Sequence, residues 1–121
     1  EVIVGVRRDK IFGPIVMFGL GGIYVEVMKD ITFRAYPMGR NEALNMISEI
    51  RSYPLLLGVR GEKMRDIPAI ADTILKVGWL ISKIDDLMDI EINPLVVYEE
   101  GEGVVALDAR ILLADKRGEK K

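Results

Sequence analysis

Apolar residues recur along this chain with two periods, and the change from one to the other marks out its elements. Val2, Val4 and Val6 share one side of a strand that runs into Arg7-Arg8-Asp9 and a turn over 9–14. Ile15-Val16-Met17-Phe18 makes the returning strand. Gly19-Leu20-Gly21-Gly22 interrupts the pattern, Ile23-Tyr24-Val25-Glu26-Val27 resumes it, and a fourth strand covers 31–36, closed by Pro37 and Gly39. The period then lengthens. Ala43, Leu44, Ile47 and Ile50 lie at helix spacing in a helix over 41–51, which Tyr53-Pro54 ends. A loop over 55–65 carries Arg60, either a solvated charge or a group reaching toward an anion. The longest helix starts at Asp66, an N-cap with Pro68 in the first turn, and extends to about residue 86. Its stripe of Ile67, Ile70, Ile74, Val77, Ile81 and Ile84 faces a sheet, and Trp79 lies off it as a half-exposed packing residue.

The last strands return to period two. Ile90 and Ile92 point to one face, Glu91 and Asn93 to the other. The loop Glu99-Glu100-Gly101-Glu102 pairs Tyr98 with Gly103, which sets Asn93 opposite Asp108 and Glu91 opposite Arg110. In that register Val105, Leu107, Ala109 and Ile111 are expected on the buried side with Ile90, Ile92, Val96 and Tyr98. The elements together predict an α+β fold, a mostly antiparallel sheet with helices packed on one face. Residues 1–113 form one domain, and the charged segment 114–121 is expected to be a disordered tail.

Glu91, Asn93 and Asp108 would bring two carboxylates and an amide oxygen to one patch. The patch reads either as the solvated face of an antiparallel hairpin or as a site for Mg2+, which is commonly held by one or two carboxylates plus substrate phosphates. Composition removes other chemistries. The chain of 121 residues has no Cys and no His, so thiolate metal sites, Ser-His-Asp catalysis and a phosphohistidine within these residues are excluded. With 17 Lys and Arg against 19 Asp and Glu, a net charge of -2 and pI near 5.2, nucleic acid is not an implied partner. No apolar run approaches the roughly 20 residues that span a bilayer, so no membrane partner and a cytoplasmic setting are expected. The lack of Gln and the abundance of Ile, Val, Glu, Lys and Arg follow the drift seen in thermophiles. Glu1 opens directly into a strand, as expected of a piece of a longer protein. The glycine cluster is not a dinucleotide fingerprint, because Tyr24 occupies the third glycine position and a strand follows.

Four stretches together carry a resemblance over nearly the whole chain, to about Leu112. They are 1–9 with Arg7-Arg8-Asp9, the run from Phe12-Gly13-Pro14 through Gly21-Gly22 with Glu26, Glu91-Ile92-Asn93-Pro94-Leu95, and Asp108-Ala109-Arg110. They resemble the C-terminal lobe of an ATP-grasp domain, and within that superfamily the β subunit of the ADP-forming acetyl-CoA and acyl-CoA synthetases. The resemblance implies an acid-thiol ligase reaction: acyl-CoA, ADP and phosphate give acid, CoA and ATP by way of a phosphohistidine outside this chain. It implies Mg2+ and ATP or ADP as cofactors. Asn93 and Asp108 would ligate the metal, and Glu91 would share it or orient the incoming histidine as a catalytic residue. Gly21, Gly22, Arg8 and Arg110 would lie near the nucleotide phosphates. The implied partners are an N-terminal ATP-grasp lobe and an acyl-CoA-binding α subunit or domain, in a hetero-oligomer, and this chain alone would be inactive. A non-catalytic ATP-grasp-like regulatory or assembly module, and the β subunit of a succinyl-CoA synthetase-type ligase, are the alternatives; the intact Glu91, Asn93 and Asp108 set argues against the first.

Overall fold

Strand β1 (Val2–Asp9) is paired antiparallel along both edges, with β2 (Gly13–Leu20) on one side and β4 (Leu87–Val97) on the other. The computed structural model describes residues 1–21 and 29–114. The strand expected over 23–27, with Gly22 and Glu26, and the tail beyond Ala114 lie outside those residues. β3 (Ile31–Ala35) extends the sheet past β2, and the return partner of β4, split into β5 (Val104–Ala106) and β6 (Ala109–Leu113), closes the opposite edge. Among the described residues every pairing in this six-stranded sheet is antiparallel.

The helices are α1 (Arg40–Ser48), the short α2 (Tyr53–Leu57) and α3 (Ile67–Lys83). α3 lies across β1, β2 and β4, while α1 packs on α3 and reaches β2 and β3. Val2, Val4 and Val6 of β1 and Val16 and Phe18 of β2 meet Ile70, Ile74 and Ile81 there, none more than 2% exposed. Each such side chain contributes about 1.5–3 kcal/mol on burial. The α+β arrangement with helices on one face is therefore present as expected, and among the described residues no helix covers the other face.

Both ends of α3 are tied down by side chains. Asp66 accepts the Ala69 N–H at 3.2 Å, as an N-cap should, and the same carboxylate accepts the N–H groups of Gly101 (3.1 Å) and Gly103 (2.7 Å) in the β4–β5 turn. At the other end Arg8 donates to the carbonyls of Ile81 (2.6 Å) in the last turn of α3, of the C-cap residue Ile84 (3.1 Å) and of Leu87 (2.9 Å) at the start of β4, and so ties the helix end to the strand that follows. Asp30, 4% exposed, accepts the N–H groups of Arg51 (2.6 Å) and Ser52 (2.7 Å) and so fixes the chain between α1 and α2.

Three expectations need correction. Pro54 does not end a helix but sits in the first turn of α2, where its missing N–H costs nothing, and α1 stops at Ser48. The register of the last hairpin is as expected, with Glu91 opposite Arg110, Tyr98 N–H bonded to Gly103 O, and Asn93 N–H bonded to Asp108 O at 3.0 Å. Its burial pattern is not. Val2 faces Leu95 but Val4 faces Ile92, so Asn93 and Pro94 together oppose Ile3 in a bulge. Beyond it the alternation is reset: Leu95 and Val97 are buried, whereas Val96 is half-buried and Tyr98 is 41% exposed. Val105, Leu107 and Ile111 are exposed by 46–63% because β5 and β6 form the outermost strand, beyond the strands that α3 lies across.

Candidate functional site

The helix-free face of the sheet is read as rows of side chains running across the strands. One row is Phe33, Met17, Gly5, Glu91 and Arg110, each the register partner of the next. The neighbouring row is Ala35, Ile15, Arg7, Asp89 and Leu112. On the other side Ile31, Gly19 and Ile3 lead to the bulge at Asn93 and from there to Asp108. Rows on one face repeat every two residues, about 7 Å apart. Asn93 with Asp108 thus stands one step from Glu91, and Arg7 with Asp89 one step further out.

Gly5 is the lowest point of this surface. It leaves a groove of about 350 Å³ floored by Ile15, Met17 and Phe33 and walled by Arg7, Asp9, Asp89 and Glu91. A second depression, lined by Arg110, Ile111 and Leu112, shares Arg7, Asp89 and Glu91 with it. An apolar floor with a few convergent polar groups is the usual make-up of a small-molecule site. Two ion pairs cross the wall. Arg7 meets Asp89 at 3.2 Å and Arg110 meets Glu91 at 3.0 Å, with each Arg side chain 78% exposed and the carboxylates only 26% and 31% exposed. Such pairs hold by about 0–1 kcal/mol, so an anionic ligand competes easily for either guanidinium. At the end of the groove Asp9 accepts the N–H groups of Phe12 and Ile11, and these bonds hold its carboxyl below the usual carboxylate range.

The structure brings Glu91 and Arg110 together directly and seats Asn93 beside Asp108 through a backbone bond. It does not bring Arg8 to them. Side chains alternate along β1, so Arg8 faces the helices with Val4 and Val6 and its guanidinium is engaged at the end of α3. Arg7 is the cation of that pair on the open face. Gly21 is buried at the end of the sheet, its N–H bonded to Glu1 O at 3.1 Å, and a Cβ there would lie 2.4 Å from the Val2 carbonyl. That close approach of two backbones accounts for its lack of a side chain, and it places Gly21 beyond the Asn93 row rather than beside Glu91. Gly22 lies outside the described residues. Arg7, Asp89, Met17 and Phe33 line the groove without belonging to the site predicted from sequence, although counting from Val2, Val4 and Val6 already assigns Arg7 to the opposite face.

The donor set suits a hard cation: two carboxylates and one neutral amide, all oxygen. Among the described residues no three His, Cys, Asp or Glu side chains are grouped to hold a metal. A cation here would therefore need oxygens from a ligand as well, which is how Mg2+ binds with phosphates. No helix among the described residues is long and apolar enough to cross a membrane.

Residues 1–113 match a family described as ATP-grasp domain. The chain is 51% identical over 114 residues to the β subunit of acetate–CoA ligase (ADP-forming) II of Pyrococcus furiosus, covering 93% of this chain and 48% of that subunit. It is 47% identical over 116 residues to acetate–CoA ligase (ADP-forming) I of Archaeoglobus fulgidus, covering 96% of this chain and 17% of that protein. A solved structure of acetyl-coenzyme A synthetase 1 from Ca. Korarchaeum cryptofilum superposes with a TM-score of 0.88 at 41% identity, over 93% of this chain and 52% of that one. That protein was captured with coenzyme A and Mg-AMPPCP, its phosphohistidine segment pointing towards the nucleotide binding site. The chain spans about half the length of the β subunit it matches.

Proposed function

The chain belongs to the ATP-grasp domain family, and from that premise we propose that it is the C-terminal lobe of the nucleotide- and magnesium-binding part of an ADP-forming acyl-CoA ligase. The reaction of the whole enzyme is acyl-CoA, ADP and phosphate to acid, CoA and ATP, with the phosphoryl group carried by a histidine elsewhere in the protein. The observation that supports this most is the register: a backbone hydrogen bond seats Asn93 beside Asp108, Glu91 lies one step along the strand, and an apolar groove adjoins Glu91.

In this reading Asn93 and Asp108, with Glu91 beside them, would hold Mg2+, which when bound neutralises phosphate charge. Ile15, Met17 and Phe33 exclude water from beneath the nucleotide, and Arg110 exchanges its exposed contact with Glu91 for a phosphate oxygen. Glu91, released from Arg110, is then open either to the metal or to the incoming histidine. Phosphoryl transfer of this kind is mostly positioning and charge stabilisation, and these side chains supply both. An N-terminal ATP-grasp lobe closes over the groove, an acyl-CoA-binding subunit or domain completes the hetero-oligomer, and the enzyme works in the cytoplasm.

The test is calorimetric titration of Mg-ADP into the protein carrying both lobes, beside its Asp108→Ala variant. Asp108 is exposed, so the variant should unfold at the parent's temperature and bind Mg-ADP at least tenfold more weakly. Equal affinity in the two proteins refutes the assignment.

A further inference from the structure

We propose that Ile11 and Phe12, at the tip of the β1–β2 hairpin, are the docking surface for the histidine-bearing segment of the rest of the enzyme, with Arg7 behind them to receive its phosphoryl group. The inference rests on the function proposed above.

Ile11 is 83% exposed and Phe12 71%, the two most exposed large apolar side chains among the described residues. The tip that carries them is ordered: Asp9 Oδ1 accepts the Ile11 N–H at 2.8 Å and the Phe12 N–H at 2.9 Å, and Gly13 closes the turn at φ 76°. Nothing in the packing of the sheet requires a rigid turn that presents two apolar residues to water. A fixed aromatic and aliphatic pair of this kind is what anchors a protein contact.

Its place in the fold names the occupant. The tip joins the two strands that carry Arg7 and Ile15 into the groove, and Asp9 lines the groove's outer end. A segment seated on Ile11 and Phe12 therefore leads directly to the groove. There it meets Arg7 and, one row on, Arg110, two largely exposed cations each with one carboxylate partner. A phosphoryl group accepts hydrogen bonds more strongly than a neutral peptide and can draw either guanidinium away from its carboxylate. The occupant is not within this chain, which has no histidine, and most of the length of the single-chain relative lies outside the matched region.

Run from ATP, the transfer breaks the bond from the terminal phosphorus to the β,γ-bridging oxygen and forms a phosphorus–nitrogen bond to the imidazole. The electron pair leaves with ADP, and the imidazole proton passes to water. Docking speeds this step by presenting the imidazole in line, and leaves nucleotide affinity alone.

The experiment uses the complete enzyme and its Ile11→Ser, Phe12→Ser and doubly substituted variants. Single-turnover labelling of the histidine from γ-32P-ATP is measured alongside the Mg-ATP dissociation constant and the oligomeric state. The expected result is labelling slowed at least tenfold in the double variant, with the dissociation constant within twofold of the parent and the assembly intact. Labelling at the parent rate overturns the proposal. Affinity that weakens in step with labelling also overturns it, because the tip would then serve the nucleotide. Altered assembly with labelling at the parent rate does so too, and assigns the tip to a contact between copies. A parent enzyme that binds no Mg-ATP rejects the underlying function instead.

Discussion

Replacing Asp66 by alanine removes a carboxylate, 7% exposed, that three backbone N–H groups share. Loss of the N-cap bond to Ala69 costs about 1 kcal/mol. The bonds to Gly101 and Gly103 are charge-assisted and belong to the upper class of hydrogen bonds, about 1.5–3 kcal/mol each. Gly101 is exposed, so water takes over part of that loss and the lower figure applies to both. The sum is about 4 kcal/mol. At about 4 °C per kcal/mol for a domain of this size, thermal unfolding should move down by about 15 °C. Asp66→Asn keeps one acceptor oxygen and should lose about half as much. The assay is thermal unfolding by circular dichroism, with urea titration to obtain the free-energy difference. A loss below about 1 kcal/mol in Asp66→Ala would mean that water replaces all three bonds, and would refute the claim that this side chain holds the hairpin to α3. Asp108 is registered independently through β4 and β6, so Mg-ADP affinity should survive in the folded fraction of either variant.

Arg8→Met should destabilise the protein by about 2–3 kcal/mol, because it strips the donor from two carbonyls at the end of α3 and one at the start of β4; unfolding free energy measures this, and an unchanged value rejects the tie. In the complete enzyme the same variant should keep its KM for ADP, whereas a true phosphate ligand would not. Gly5→Val should weaken Mg-ADP binding at least tenfold while the protein still folds: a Cβ there already meets Ile90 O at 3.1 Å and Met17 Cε at 3.7 Å, and further atoms project into the groove. Undiminished binding, measured by calorimetry, would place the nucleotide elsewhere. Burial raises the pKa of Asp30, but hydrogen bonds from Ser52 and Arg51 and the Arg51 charge outweigh it and leave the carboxyl below its ordinary 3.8. A lowered folded-state pKa contributes stability above the unfolded value and loses it as pH falls through the folded one. Asp30→Asn should therefore cost more stability at pH 7 than at pH 2.5, and an equal cost at both would contradict the assignment.

Local spacing carried most of the fold. The loop over 99–102 set the pairing of β4 with its return strand, and Asp66 followed by Pro68 marked the start of α3, because each depends only on residues close in sequence. What depended on distant pairing was not legible. The bulge at Asn93 and Pro94 exists because β1 lies alongside β4, and no property of residues 87–97 alone announces it. The exposure of Ile111 and Leu107 likewise follows from where α3 ends in space. Arg7 is different: the alternation that buries Val4 and Val6 already turns Arg7 away from them, whereas the role expected of Arg8 rests on a family resemblance that carries no information about facing. The triple role of Asp66 and the buried Asp30 were hidden because their partners lie about 20 to 37 residues away.

The bulge has a bearing on how this lineage can diverge. In β1 Val4 and Val6 answer to the helices and Gly5, Arg7 and Asp9 to the groove, and in β4 Ile90 keeps to the core and Asp89 and Glu91 to the groove until the bulge, beyond which Leu95 and Val97 turn inward. Two selective demands are thus written on one strand without sharing a residue. Drift that retunes the groove can accumulate at positions such as Asp89 while Val4, Val6, Ile90 and Leu95 stay constrained by folding. Among descendants of this sequence, the face a position presents rather than its distance along the chain should separate the positions that change with the ligand from those that do not.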